Sequence, residues 1–429
     1  MFWEKEGKLI YSYDGETVCI EAWGKDALRV RATKNRSFTG RDWALEAKDA
    51  HAGEVEIFED PSAKGGAFAN MYEGTDTSYG KITNGKLHAV IDSGSVITFY
   101  HEDGRVLLKE HFRRLRDEES MPLNIMGREY SNGVGDNFRI VARFVARKGE
   151  KIFGMGQYQQ HELDLKGCML ELAQRNSQVS VPFYLSSIGY GFLWNNPGVG
   201  QVMFANNGTE WVTESGKEID YLVIAGDTPA EIEENYMTLT GKPPMMPEYG
   251  MGFWQCKLRY WNQEQLLSVA RKYKELGVPL DVIVVDFFHW TKQGEFKFDP
   301  KYWPDVPGMC RELKEMGIQV VVSVWPTVDI YSENFEEMKE KGYLVRTEHG
   351  VPLTMLCGGN EVFFDATNPD ARTYVWEKIK KNYYDQGAKL FWLDVAEPEY
   401  SVYDFKNYRY QLGSVQEVGN IYPKYYLKA

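Results

Sequence analysis

Two patterns of apolar and polar positions divide this sequence. From residue 8 to about 213, short runs rich in Val, Ile, Phe and Tyr, among them LIYSYD, TVCIEAW, ALRVRAT and FRIVARFVA, are broken at Gly, Asn and Asp. Such runs between turn residues predict antiparallel strands with one buried face, and so an all-β sandwich. Within residues 95–108, HEDG stands between two β-rich runs and predicts a hairpin turn. Past residue 250 the rhythm becomes strand, helix, strand, helix, which predicts β/α units around a parallel sheet.

Local stop and start signals mark the junction. DTPAE at 227–231 predicts a helix start with Thr228 as N-cap and Pro229 at the first helical position, running to about residue 240. GKPPMMPEYG at 241–250 follows, with three prolines and two glycines in ten residues, and reads as a linker. The expected organisation is therefore a β-sandwich domain at 1–240, the linker at 241–250, and a β/α domain at 251–429.

In the second domain the pattern predicts strands at 252–257, 280–288 (LDVIVVDFF), 318–325 (IQVVVSVW) and 389–394. Helices are expected at 262–276, with apolar Leu266, Leu267, Val269 and Ala270, at 307–316, at 333–341, and from an Asn368 cap with Pro369 to about 384. An insertion separates the last two. This arrangement puts Trp254, Asp286, Trp325 and Asp394 at strand ends on one face. A (β/α)8 TIM barrel occupies roughly 250 residues. About the first four β/α units are expected here, since residues 401–429 offer no further strongly apolar strand.

Composition narrows the functions. Lys and Arg number 49 against 62 Asp and Glu, a formal charge of −13 that repels nucleic acid. The start MFWEKEGKLI lacks the pattern of a signal peptide, and no apolar run reaches membrane-spanning length. The five cysteines, Cys19, Cys168, Cys256, Cys310 and Cys357, are scattered without CxxC spacing, which suggests a reduced, cytoplasmic protein. No His/His/carboxylate spacing supports a metal, and no cofactor is implied. Aromatic residues make up 14% of the chain; they suit sugar stacking and large β-sheet cores equally.

The stretch 389–400, KLFWLDVAEPEY, carries the sharpest chemistry. A strand-length apolar run ending in a carboxylate is how a barrel presents a catalytic acid at its C-terminal mouth. Asp394 fits a nucleophile or general base, or else a helix cap or ion-pair partner. Asp286 follows the same logic, with capping of the next loop as its alternative. Trp325 and Trp254 read as site walls or as core, and His289 as a sugar-hydroxyl ligand or a structural histidine. Residues 152–196, dense in Gly, Gln, Asn and aromatics, read as sheet turns or as a loop reaching over a pocket.

Seven ordered motifs then carry a resemblance: FGMGQ at 153–157, GFWQ at 252–255, VVDFFHW at 284–290, FDPKYWPDVPGM at 298–309, VSVWP at 322–326, FFDATNPDAR at 363–372 and WLDVAEPE at 392–399. Together the sequence resembles glycoside hydrolase family 31. The resemblance implies a β-sandwich followed by a (β/α)8 barrel, and retaining, exo-acting hydrolysis of a terminal α-linked sugar without cofactor. It makes Asp394 the nucleophile, Asp286 a binder of sugar hydroxyls, Trp325 a wall of the sugar pocket and Trp392 its neighbour before the nucleophile. Glu397, Trp254 and His289 stand in support; Glu397 and Glu399 are too near Asp394 in sequence to serve as its acid/base partner.

The family's acid/base lies on a later barrel strand, so it is expected beyond Ala429, with this chain the N-terminal part of a longer protein. Phe287 and Phe288, where α-glucosidases of the family tend to have a smaller residue and a carboxylate, favour an α-xyloside. An α-glucosidase or α-N-acetylgalactosaminidase is the alternative within the family, and a non-catalytic carbohydrate-binding protein the alternative outside it. The expected partner is an α-glycoside or oligosaccharide, with neither nucleic acid nor membrane; the sequence leaves homo-oligomerisation open.

Overall fold

The computed structural model describes residues 1–46, 49–60, 77–115, 123–351, 355–356, 360–398 and 404–429. The chain forms two compact units: Met1–Ala173 with Ser177–Pro243, and Gln174–Asn176 with Pro244–Ala429.

The first unit is built of antiparallel sheets, the largest nine-stranded. Its alternating sequence runs become strands with one buried face: Lys8–Tyr13 buries Leu9 and Tyr11 and leaves Lys8, Ile10 and Ser12 partly open. HEDG closes the hairpin between Ile97–His101 and Val106–Lys109. Leu9, Ile82, Phe99, Ile140, Phe192, Trp211 and Tyr221, drawn from three of the sheets, meet in one apolar core. Many of the aromatics are therefore core, with Trp194, Trp211, Tyr184 and Tyr190 fully buried. Strand Ile219–Ala225 is buried on both faces, because helix Pro229–Thr240 covers the side away from that core through Ile232 and Leu239. Thr228 caps this helix by accepting the Glu231 amide.

In the second unit four parallel strands, Trp254–Gln255, Val282–Val285, Gln319–Val324 and Leu390–Leu393, pair in chain order. They are shorter than the apolar runs that contain them. Run 280–288 keeps only four residues as strand, because Asp286 turns its carboxylate onto the Phe287 amide and ends the ladder. Capped helices stand between the strands: Gln263–Glu275 on Asn262, Val306–Glu315 on Asp305, and Pro369–Ile379 on Asn368. The last continues into a π-helical turn, Lys380–Tyr384.

The insertion before that helix contributes Met355–Leu356 and Asn360–Phe363, which form a small antiparallel sheet with Thr327–Asp329 from just after the third parallel strand; Cys357 lies outside the described residues. Short helices Val415–Val418 and Tyr422–Tyr426 follow the fourth parallel strand, with Tyr422 and Tyr426 buried. Among the described residues no helix is long and apolar enough to cross a membrane.

Candidate active site

Strand pairing determines what meets at the mouth of the parallel sheet. Val282 pairs with Gln319, Val284 with Val321, Val321 with Leu390, and Ser323 with Trp392. Side chains alternate faces along a strand, so Asp286, Trp325, Trp392 and Asp394 share the face of Val282, Val284 and Val321. The opposite face belongs to the helices, where Phe391 packs near Trp376 and Tyr383. Asp286, Trp325 and Asp394 each stand one residue beyond a strand's last residue. The fold thus brings three of the expected site residues to one face, with Trp325 level with Asp394 and Asp286 level with Ser323 and Trp392, one pleat below.

Trp254 departs from expectation. It pairs with Val282, at the opposite end of the sheet from Asp286, and donates its indole N–H to the Gly250 carbonyl. The first strand is two residues long and its register is fixed by pairing rather than by its own sequence. Cys256, which its sequence neighbours do not mark, takes the place at the mouth: its thiol lies 3.4 Å from Asp286 Oδ2. Burial, then the Asp286 charge, push that thiol up to about 11, so it remains an S–H donor at neutral pH.

The two aspartates use one local device. Asp286 Oδ1 accepts the Phe287 amide at 2.8 Å, and Asp394 Oδ1 accepts the Val395 amide at 3.0 Å. Trp325 Nε1 donates to Asp394 Oδ2 at 3.1 Å. The backbone just beyond each is left-handed, with φ of 60° at Phe288 and 58° at Val395, where bulky and β-branched side chains are rare. Each costs on the order of 1–3 kcal/mol, a cost met by surrounding structure and concentrated at functional sites. Tyr426 also stands near Asp394: its hydroxyl donates to the Val324 carbonyl, which also accepts the Asp394 amide. Burial and then the Asp394 charge hold that phenol well above its ordinary range.

An aromatic wall extends from Trp325, whose ring lies 5.5 Å from Phe287, 6.4 Å from Phe288 and 5.9 Å from Trp290. Trp392, 49% exposed, stands two residues before Asp394 on its face. Two larger hollows, about 630 and 510 Å³, lie away from this mouth, around Pro307 and Gln386, and neither is lined by Asp286 or Asp394.

His289 is removed from the sugar-binding set. It is 1% exposed, and both ring nitrogens are taken, by the Asp286 carbonyl at 2.9 Å and the Tyr383 hydroxyl at 2.9 Å. A carbonyl only accepts, so Nδ1 carries the proton and Nε2 accepts from Tyr383. The π-helical turn delivers Tyr383 to this position, and the pair fixes the backbone of Asp286 from behind.

Burial pulls His289 from its ordinary 6.5 down to about 4. Between those values the unfolded chain takes up a proton that the folded chain refuses, so stability is full above 6.5 and falls as the pH drops towards 4. His289→Gln is expected to flatten the fall of the urea midpoint between about pH 7 and pH 5 relative to the parent protein. Glu397 lies partly buried in the turn after Asp394, and Glu399 lies outside the described residues.

Residues 243–429 match the family model described as the glycosyl hydrolases family 31 TIM-barrel domain. The chain is 45% identical to an uncharacterized family 31 glucosidase, ORF2, of Pseudescherichia vulneris, over 98% of this chain and 78% of that protein. It is 30% identical to alpha-xylosidase A of Aspergillus niger, over 95% of this chain and 58% of that protein. Among solved structures, a family 31 alpha-xylosidase from a soil metagenome, complexed with xylose, superposes with a TM-score of 0.91 at 50% identity, covering all of this chain and 62% of that one. The chain thus spans less than two thirds of two of these relatives. A parallel β/α sheet with aspartates at its strand ends, and near-complete coverage of this chain by a relative at 45% identity, place it in glycoside hydrolase family 31.

Proposed function

We propose that this chain carries the nucleophile and the sugar pocket of a retaining, exo-acting α-glycosidase, with a terminal α-xyloside as the preferred substrate. The observation that carries the reading is Asp394 at a strand end, held by the Trp325 indole and the Val395 amide, with Asp286 at another strand end on the same face. Asp394 attacks the anomeric carbon and forms a covalent glycosyl-enzyme as the aglycone leaves. Water then attacks the same carbon, restores the Asp394 carboxylate and releases the sugar with its original configuration. The Trp325 and Val395 donors orient Asp394 and offset its charge. Asp286 accepts sugar hydroxyls, and Trp325 and Phe287 form the wall. Retention calls for a second carboxyl about 5–5.5 Å from the nucleophile. That role is assigned to none of the residues named here; it is proposed to lie in the part of the longer relatives that this chain does not span.

Phe287 and Phe288 crowd the side of the pocket that would receive the hydroxymethyl group of glucose, which xylose lacks. The Aspergillus and soil-metagenome relatives, named as alpha-xylosidases, support a xyloside; the Pseudescherichia relative, named as a glucosidase, supports a glucoside as the second reading. A panel of p-nitrophenyl α-glycosides, assayed with the full-length protein, tests catalysis and sugar preference together. Phe288→Ala is expected to raise the kcat/KM ratio of glucoside to xyloside about tenfold, in the range that a group of this size provides. Failure to release any sugar from the panel would overturn hydrolysis in favour of carbohydrate binding. Cys19, Cys168, Cys256 and Cys310 are free, which supports a reducing, cytoplasmic setting.

A further inference from the structure

The fold holds both carboxylate oxygens of Asp286, one through a backbone amide and the other through a thiol. We propose that Cys256 is a positioning residue of the glycosidase, whose S–H orients Asp286 towards the sugar hydroxyls; the proposal rests on the glycosidase reading above.

Cys256 follows the last residue of the first parallel strand, and alternation puts it on the face of Trp254, which is also the face of Asp286. The Phe287 amide on Oδ1 leaves the carboxylate free to pivot about one bond; a donor on Oδ2 fixes its plane. The single thiol proton has two acceptors in reach, Asp286 Oδ2 at 3.4 Å and the Lys257 carbonyl at 3.8 Å. The nearer and ionised oxygen is the stronger acceptor. Cys256 is itself held from behind. The Tyr273 hydroxyl, on the following helix, donates to Gln255 Oε1 at 2.7 Å, and Gln255 Nε2 donates to the Cys256 carbonyl at 3.1 Å. Three residues on, Arg259 Nη1 donates to the Phe288 carbonyl at 3.2 Å, so the same segment grips the turn after Asp286 a second time. A thiol is a weak donor. It can therefore orient Asp286 without consuming the charge that the sugar hydroxyls meet, whereas a lysine in its place would neutralise that charge.

A double-mutant cycle on the full-length protein tests the role, assayed with a p-nitrophenyl α-glycoside that the parent cleaves. Cys256→Ala is expected to lower kcat/KM about fivefold in the parent, and by no more than about twofold in the Asp286→Ala background, where the carboxylate it orients is gone. Cys256→Ser keeps a donor and is expected to recover most of the loss. Equal losses in the two backgrounds, no loss in the parent, or a Cys256→Ser variant as impaired as Cys256→Ala would each overturn the positioning role while the glycosidase reading stands. A parent protein that hydrolyses no α-glycoside removes the glycosidase reading, and the role of Cys256 with it.

Discussion

Asp394→Ala is expected to lower kcat/KM on a p-nitrophenyl α-glycoside by roughly 10⁴-fold, the scale on which removal of an activated nucleophile is felt. The loss is chemical rather than structural, because the neighbouring backbone is fixed by bonds the substitution keeps: the Asp394 amide still donates to the Val324 carbonyl, which Tyr426 also holds. Azide separates the two explanations. In the cavity left by the carboxylate, azide attacks the anomeric carbon of an activated glycoside and yields a glycosyl azide of inverted configuration. Rescue with inversion supports Asp394 as the nucleophile of a retaining enzyme; activity that survives the substitution without azide rejects it.

Asp286→Ala is expected to cost about 100-fold in kcat/KM, with the loss divided between kcat and KM. Two interactions go together. The sugar hydroxyls lose a charged acceptor, worth roughly 1.5–3 kcal/mol per bond, and the Phe287 amide loses the oxygen that fixes the loop. Asp286→Asn keeps an oxygen for that amide and is expected to lose only about tenfold, since the charge alone is gone. Equal losses in the two variants, with unchanged thermal stability, would instead assign the effect wholly to the charge.

What was legible in the sequence was what is decided locally. Thr228 with Pro229, Asn262, and Asn368 with Pro369 mark helix starts because a cap and its amide partner lie within a few residues of each other. The apolar run before Asp394 marked a strand and its end for the same reason. Trp254 went to the wrong end of the sheet because its place depends on pairing with Val282, a partner set by tertiary structure. The run 280–288 is longer than its strand because its apolar character continues after the Asp286 side chain has ended the ladder. Cys256, Tyr383 and Tyr426 carried no signal. Each acts through a contact with a distant part of the chain, and a tyrosine in YPKYY looks like any other until a carbonyl is found opposite its hydroxyl.

The strand register has an evolutionary consequence. Because Asp286, Trp325 and Asp394 share a face, a one-residue insertion or deletion within any of the three strands would turn its functional side chain towards the helices. Length change is thereby confined to segments between strands, such as 257–262, which carry no such parity. Lineages descended from such a protein can therefore lengthen, shorten or exchange the rim while the two aspartates and Trp325 are inherited on their common face.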